Sequence, residues 1–467
     1  MTDTPDITLA HLFRIEKAAR MTMACLWCDQ GMANMLTANE YEDDYIPDVV
    51  ALFDYGATLN FITRTLKPAL AAPAVEKVCE VLVAQQEAGK TPRIDLVVIS
   101  HQDDDHWRLL EYLIAAVRER SIPLEVGRII YAGSDWGKTA LSVIDDLGTF
   151  TADPDKDVNY FDTMVCDYET ADSPPTQADS LGDIVIRTLM ANAPSSFPKK
   201  SKERKNGTSA VMVIDYAGER IILPGDATYE TLNKINEYLL TWTTSPLQPV
   251  SLMSAPHHGS LATMTRSSET SNDADLSELI LFTDLTRPDS VITSAGFQNS
   301  HFHPHAIILK KLIKYAGSGS FYVHPVVYYD LVSKTFKVQN EVMANLYTTV
   351  LGLDTPVPVA DWYYTFTPTE PMVTNVKTFY GASKALISVP NTSPDVFGLE
   401  MELSEDDGGK EDDVTALAVT SLQAPSAPIR FLSRPVSRTH VPAPVKRTTV
   451  LVRSGRDRDN ERAPACP

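Results

Sequence analysis

One stretch limits what this chain can fold into more than any other: Ile94-Asp95-Leu96-Val97-Val98-Ile99-Ser100-His101-Gln102-Asp103-Asp104-Asp105-His106. A run rich in apolar β-formers ends abruptly in two histidines and three aspartates. The apolar part predicts a strand buried on both faces. The polar part must then lie at the strand's end, because unpaired carboxylates and imidazoles are costly to bury. The H-x-D-x-D-H spacing of His101, Asp103, Asp105 and His106 lets one tight loop aim several O and N ligands at one point. That donor set suits zinc, manganese or iron. Taken alone, the same residues also describe a solvated acidic loop after a strand.

The pattern recurs along the chain. Val49–Phe53 runs into Asp54-Tyr55-Gly56, and Arg220–Pro224 runs into Gly225-Asp226. Val250–Ser254 runs into Ala255-Pro256-His257-His258-Gly259, and Asp289–Ser294 precedes His301, His303 and His305. Seven of the ten histidines fall in these three clusters. A sheet whose strand ends converge on one edge would bring the clusters together. Between the junctions, 60–90, 107–120, 137–147, 228–240 and 306–315 have helical spacing, with Pro73 as an interruption.

A chain of 467 residues, 43% hydrophobic, can bury a sizeable core. Its net charge of -20 argues against non-specific nucleic-acid binding by the whole surface, but not against a local basic groove. Such a run exists, Pro198-Lys199-Lys200-Ser201-Lys202-Glu203-Arg204-Lys205. The odd, scattered set of five cysteines does not read as a disulfide framework, and Cys25 and Cys28 read as core residues. No apolar run reaches the length of about 18–20 residues that spans a membrane, and the start of the chain is acidic and polar. A soluble cytoplasmic protein with no membrane association is the expectation. Residues 400–467, acidic and then Pro-, Ser- and Arg-rich, read as a largely disordered tail that could dock a protein partner.

The ordered set Asp54-x-Gly56, Ser100-His101-x-Asp103-x-Asp105-His106, Asn206-x-x-Ser209, Gly225-Asp226, Pro256-His257-His258-Gly259-Ser260 and His303-Pro304-His305 resembles the metallo-β-lactamase superfamily. Within it, the set is similar to the branch related to the hydrolase domain of the ComEC-type competence protein. The family's glycine-rich first turn is reduced here to Cys28-Asp29-Gln30-Gly31-Met32. The resemblance implies an α/β fold, a four-layer αββα sandwich, with a hydrolase domain over 8–330. Residues 331–399 would form a C-terminal extension packed on or near the core. It also implies two divalent metal ions, zinc with manganese as the rival. His101 and Asp103 would hold the first and Asp105 and His106 the second, with Asp226 bridging and His303 completing the second site. No histidine lies between 107 and 256, so His257 or His258 would substitute for one of the family's ligands or donate a proton to the leaving group. In the assignment adopted here His257 is the metal ligand, and His258 acts with Asp105 in catalysis.

The chemistry implied is hydrolysis by a metal-activated hydroxide, with two cations about 3.5–4 Å apart. The competence-like branch favours a phosphodiester in nucleic acid or a nucleotide. A small ester, lactone or amide is the alternative substrate, and a non-catalytic metal-bound component of a multi-protein system is a second alternative.

Overall fold

In this computed structural model, residues 15–391 are described except 43, 59–72, 167–178, 197–201, 244, 249, 267–270, 272–273, 295, 297–301, 317–324, 340–344, 354–356, 368–371 and 381–385. The chain divides into two compact units, Met1–Gly398 and Leu399–Pro467. The second, with the predicted tail, lies outside the described residues, as do Cys466, His301 and Lys199–Ser201.

In chain order the first half contains β1 (Arg20–Cys25), β2 (Ala33–Asn39), β3 (Val49–Tyr55), α1 (Pro73–Glu87), β4 (Arg93–Ile99), α2 (Asp104–Glu119), β5 (Glu125–Tyr131), α3 (Lys138–Gly148), α4 (Pro154–Asp157) and β6 (Val158–Tyr160). The second half contains β7 (Asp179–Leu181), β8 (Ile184–Met190), α5 (Lys202–Gly207), β9 (Val211–Tyr216), β10 (Glu219–Leu223), α6 (Tyr229–Leu239), β11 (Val250–Ser254), α7 (Ser277–Thr286), β12 (Pro288–Thr293) and α8 (Ala306–Leu312). The strands β13 (Val326–Asp330), β14 (Thr335–Gln339), β15 (Leu346–Thr348), β16 (Val357–Phe366), β17 (Met372–Tyr380) and β18 (Leu386–Asn391) follow.

The strands build two large mixed sheets and one hairpin. The first sheet runs β18-β17-β16-β1-β2-β3-β4-β5-β6, the second β15-β12-β11-β10-β9-β8-β7, and β13 pairs with β14. Within the first, β3, β4, β5 and β6 are parallel, and within the second, β10, β11, β12 and β15 are parallel. Parallel neighbours end on the same side, which is how consecutive strands deliver their terminal residues to one edge.

Three apolar layers hold the sheets and helices together. One lies between the sheets, where Leu96 and Val98 of β4 face Leu223 of β10, Leu252 of β11 and Ile292 of β12. A second joins the other face of the first sheet (Ile94, Val97, Ile99) to α1, α2 and α3 through residues such as Val78, Leu110 and Ile144. A third joins the second sheet to α6, α7 and α8 through Leu232, Phe282 and Leu309. The result is the α/β, four-layer αββα sandwich expected from the sequence. The alternation along β4 explains its continuous apolar run: each face has its own core to enter.

The structure places several elements differently from the sequence reading. Pro73, expected as an interruption, is the first residue of α1, where its missing N–H costs nothing. The helix expected from Trp107 begins at Asp104, inside the metal motif, so Asp105 and His106 occupy its first turn. Strands beyond residue 330 enter both large sheets. β15 hydrogen-bonds to β12, and β16 pairs antiparallel with β1, Met21 opposite Phe366. Periodicity marks these residues as strands but carries no information on partners more than 300 positions away. Among the described residues no helix is long and apolar enough to cross a membrane. Cys25, Cys28 and Cys79 are buried, and burial first, with Asp361 second, pushes the Cys25 thiol up to about 12.

The join between β1 and β16 carries a pH-dependent group. Asp361 is buried, and its Oδ1 accepts the Trp27 N–H at 2.7 Å. Burial outweighs that hydrogen bond and pushes the carboxyl from 3.8 up to about 6. A folded pKa above the unfolded one means that the stability is fully present below about pH 4 and is lost as pH rises through about 6. Asp361→Asn keeps the carbonyl acceptor without the charge. It is expected to gain about 2–3 kcal/mol at pH 7.5 and almost nothing at pH 4. Urea melts at the two pH values check this; identical midpoints at pH 7.5 would refute it.

Candidate metal centre

Six strand-end or loop segments meet at one edge of the sandwich. Asp54 is the penultimate residue of β3, Ser100 and His101 follow β4, and Asp105 and His106 open α2. Asp226 follows β10 through Pro224 and Gly225, His257 and His258 follow β11, and His303 precedes α8. The backbone bends hard to do this. Asp54, His257 and His258 have φ of 47°, 45° and 52°, a region that costs an ordinary residue of order 1 kcal/mol or more.

The Asp226 carboxylate lies among four imidazoles. Its Oδ2 is 3.4 Å from His101 Nε2 and 3.3 Å from His257 Nε2. Its Oδ1 is 3.1 Å from His106 Nε2 and 3.8 Å from His258 Nε2. Asp105 closes the second group, with Oδ2 3.6 Å from His258 Nε2 and Oδ1 3.9 Å from His106 Nε2. Each carboxylate oxygen thus gathers its own pair of histidines. The resulting sets, His101/His106/Asp226 and Asp105/His106/His258, each hold ligand atoms within 4.8 Å of one another.

The outer nitrogens fix which atoms face inward. His106 Nδ1 lies 3.1 Å from Asp54 Oδ2, and a carboxylate only accepts, so Nδ1 carries the proton and Nε2 presents its lone pair. His258 Nδ1 faces the Ser294 carbonyl at 3.3 Å with the same consequence. Ser100 Oγ sits 3.2 Å from Nδ1 of both His101 and His106, and the Ser100 N–H donates to Asp54 Oδ1 at 2.7 Å. Inside, His101 Nε2, His106 Nε2, His258 Nε2 and Asp226 Oδ1 are buried without a hydrogen-bond partner. Several donor atoms thus converge, buried and without a partner, where a cation would satisfy them. The residues fit a divalent metal site.

The local charges agree. Burial disfavours positive charge at His106, yet Asp226 and then Asp54 favour it strongly and raise its pKa well above the usual value, so without a metal a proton on Nε2 takes the place a cation would fill. Burial likewise opposes ionisation of Asp226, but His257, His106 and His101 outweigh it and hold the carboxylate well below its usual range. Asp105 is held low in the same way, against its burial, by the close His258 imidazole and by His106. His257 differs: burial first pushes it down to about 4, so it is neutral at pH 7.

The structure brings together His101, Asp105, His106, Asp226, His257 and His258. Asp103 stands at the margin, its Oδ2 4.0 Å from His101 Nε2 and its side chain 41% exposed. His303 is buried and stacks on His258 with ring planes 9° apart and centroids 5.3 Å apart, outside both convergent groups. His258 sets Nδ1 against the Ser294 carbonyl and Nε2 toward Asp105. His305 is a packing residue. Its Nδ1 accepts the Leu261 N–H at 3.2 Å, and burial lowers its pKa to about 4. Three supporting contacts were beyond the sequence: Ser100 spanning two histidines, the Asn206 amide 3.3 Å from His257 Nδ1, and the Asp226 N–H donating to Ser209 Oγ at 3.0 Å. All three residues stand in the ordered motif set of the sequence, but which atoms they hold is set by the fold.

No protein-family profile matches the chain, and no curated protein matches it. Among solved structures it is similar to the metallo-β-lactamase fold protein YhfI from Bacillus subtilis, at 14% identity over 64% of this chain and 93% of that one, with a TM-score of 0.34. It is also similar to a variant of the CmlA β-hydroxylase, at 14% identity over 58% of this chain and 45% of that one, with a TM-score of 0.28. The fold assignment rests on sheet order and on the strand ends that carry the histidines: an αββα sandwich with a His/Asp metal-site cluster at its edge.

Proposed function

We propose that the protein is a two-metal hydrolase of phosphodiester bonds. The observation that carries the substrate class is the placement of α5. This helix brings Arg204 and Lys205, both half-buried, directly before Asn206, whose amide touches His257. In a chain of net charge -20, a basic pair directly before a residue that touches His257 runs against the average field and supports an anionic substrate. The similarity to the competence-like branch points the same way.

When bound, two divalent cations, zinc or manganese, supply the Lewis acidity that makes water a nucleophile at neutral pH. Asp226 would bridge them. His101 and His257, with Asp103 at the margin, would hold one, and His106, Asp105 and His258 the other. Asp54 and Ser100 keep the histidine tautomers that present Nε2. Asp105, held ionised, orients the attacking water, whose proton leaves to solvent. Arg204 and Lys205 balance the charge of the substrate's non-bridging oxygens. His257 is neutral, so the leaving oxygen takes its proton from water at the mouth.

The same net charge favours a short phosphodiester over a long polyanion, and a small ester or lactone is the rival substrate. The test is metal-loaded protein on bis(p-nitrophenyl) phosphate, dinucleotides, single- and double-stranded DNA and a lactone panel. Phosphodiester turnover that is lost on chelation and restored by zinc or manganese is expected. Turnover of lactones alone would overturn the proposal.

A further inference from the structure

We infer that Phe302 forms a subsite for a planar ring of the substrate, a reading that rests on the proposed hydrolase function and adds to it the organic group carried by the phosphate. Three observations meet at this residue. Its φ is 58°, a conformation that is an outlier for a bulky side chain. Its ring is 50% exposed, so core packing does not account for it. It directly precedes His303, which is buried against His258 of the metal centre.

The turn at 302 sends the next side chain inward, but that does not explain a phenylalanine. Glycine would make the same turn without the steric penalty. The chain instead holds a half-exposed aromatic ring one residue before His303 and fixes it. Phe302 packs on Tyr329 at a centroid distance of 5.0 Å, and Tyr329 in turn meets His305 at 5.7 Å and Phe336 at 5.3 Å. The Tyr329 N–H donates to the Pro304 carbonyl at 2.7 Å, tying this aromatic row to the loop that carries His303. A held, half-exposed ring next in sequence to a residue stacked on His258 offers a face for stacking. The complementary ligand is a planar ring attached to the phosphate, either a nucleobase or an aryl ester.

Calorimetric titration of the metal-loaded full chain separates the two sources. One ligand pair is phenylphosphonate and methylphosphonate; the other is adenosine 5′-monophosphate and ribose 5-phosphate. The native protein is expected to prefer the ring-bearing member of at least one pair by roughly three- to tenfold. Preference in only the first pair identifies an aryl group, and in only the second a nucleobase. Phe302→Gly is expected to abolish the preference while retaining affinity for the ringless member, and to raise the melting temperature by relieving the strained φ. Phe302→Tyr should keep the preference. An equal preference in native protein and Phe302→Gly, or no preference in native protein, overturns the subsite. If native protein binds none of the four, the anionic-substrate reading fails by itself, and the same variants are compared with uncharged adenosine against ribose, which decides the ring subsite on the same terms.

Discussion

Asp226→Asn is expected to remove most of the bound metal and at least about a thousandfold of the activity, with the fold retained. The carboxylate gives one oxygen to each pair of histidines, Oδ2 to His101 and His257 and Oδ1 to His106 and His258. An amide offers one acceptor, carries no charge and turns N–H bonds toward one imidazole pair. The backbone around the residue does not depend on the charge, since the Asp226 N–H bond to Ser209 Oγ survives the change. Asp103→Asn is the useful contrast. Its side chain is 41% exposed and 4.0 Å from the one histidine it approaches, so its loss should weaken metal binding far less. Metal content by elemental analysis, read beside kcat, distinguishes the two. Two equivalents of metal still bound to Asp226→Asn would sink the bridging assignment.

Gly56→Ala is expected to cost at least about 3 kcal/mol of stability and to displace the metal loop. A Cβ on this glycine would sit inside contact distance of the Asp105 carbonyl carbon and the backbone nitrogens of His106 and Trp107. All of these are backbone atoms at the start of α2, so no side chain can rotate away. The Gly56 N–H also donates to the Met32 carbonyl at 2.8 Å, and the Met32 N–H to the Asp105 carbonyl at 2.9 Å, so three segments are locked at this point. Chemical denaturation measures the loss, and metal titration should show weaker binding in whatever remains folded. Native stability in Gly56→Ala would mean that the approach of β3 to α2 is looser than the structure indicates.

Much of the site was legible because each ligand marks the end of a strand. An apolar run that stops at His101, at Asp226 or before His257 announces both the strand and the direction of its end, and the parallel pairings of β3 with β4 and of β10 with β11 then place neighbouring ends together within each sheet. The positions of Asp103 and His303 were not legible. Spacing says that a side chain is near a site but not which way it points, and both lie on irregular backbone whose direction depends on what packs against it. Asp54 looked like a strand-end acid beside a glycine, and only its contacts with His106 and Ser100 give it a positioning role.

The sequence by itself determined most of the elements and the edge at which chemistry is gathered, because apolar periodicity and strand-end residues are local properties of the chain, and the αββα class followed from the family that its ordered motifs resemble. The tertiary structure decided the rest. It paired β16 with β1, divided the oxygens of Asp226 between two histidine pairs, and turned the lone pair of His258 toward Asp105 by setting its other nitrogen against Ser294. Those outcomes depend on backbone groups and strands far apart in the chain. The direction of a lone pair in a dry site is set by the hydrogen bond on the opposite side of the ring, and that partner comes only from the fold.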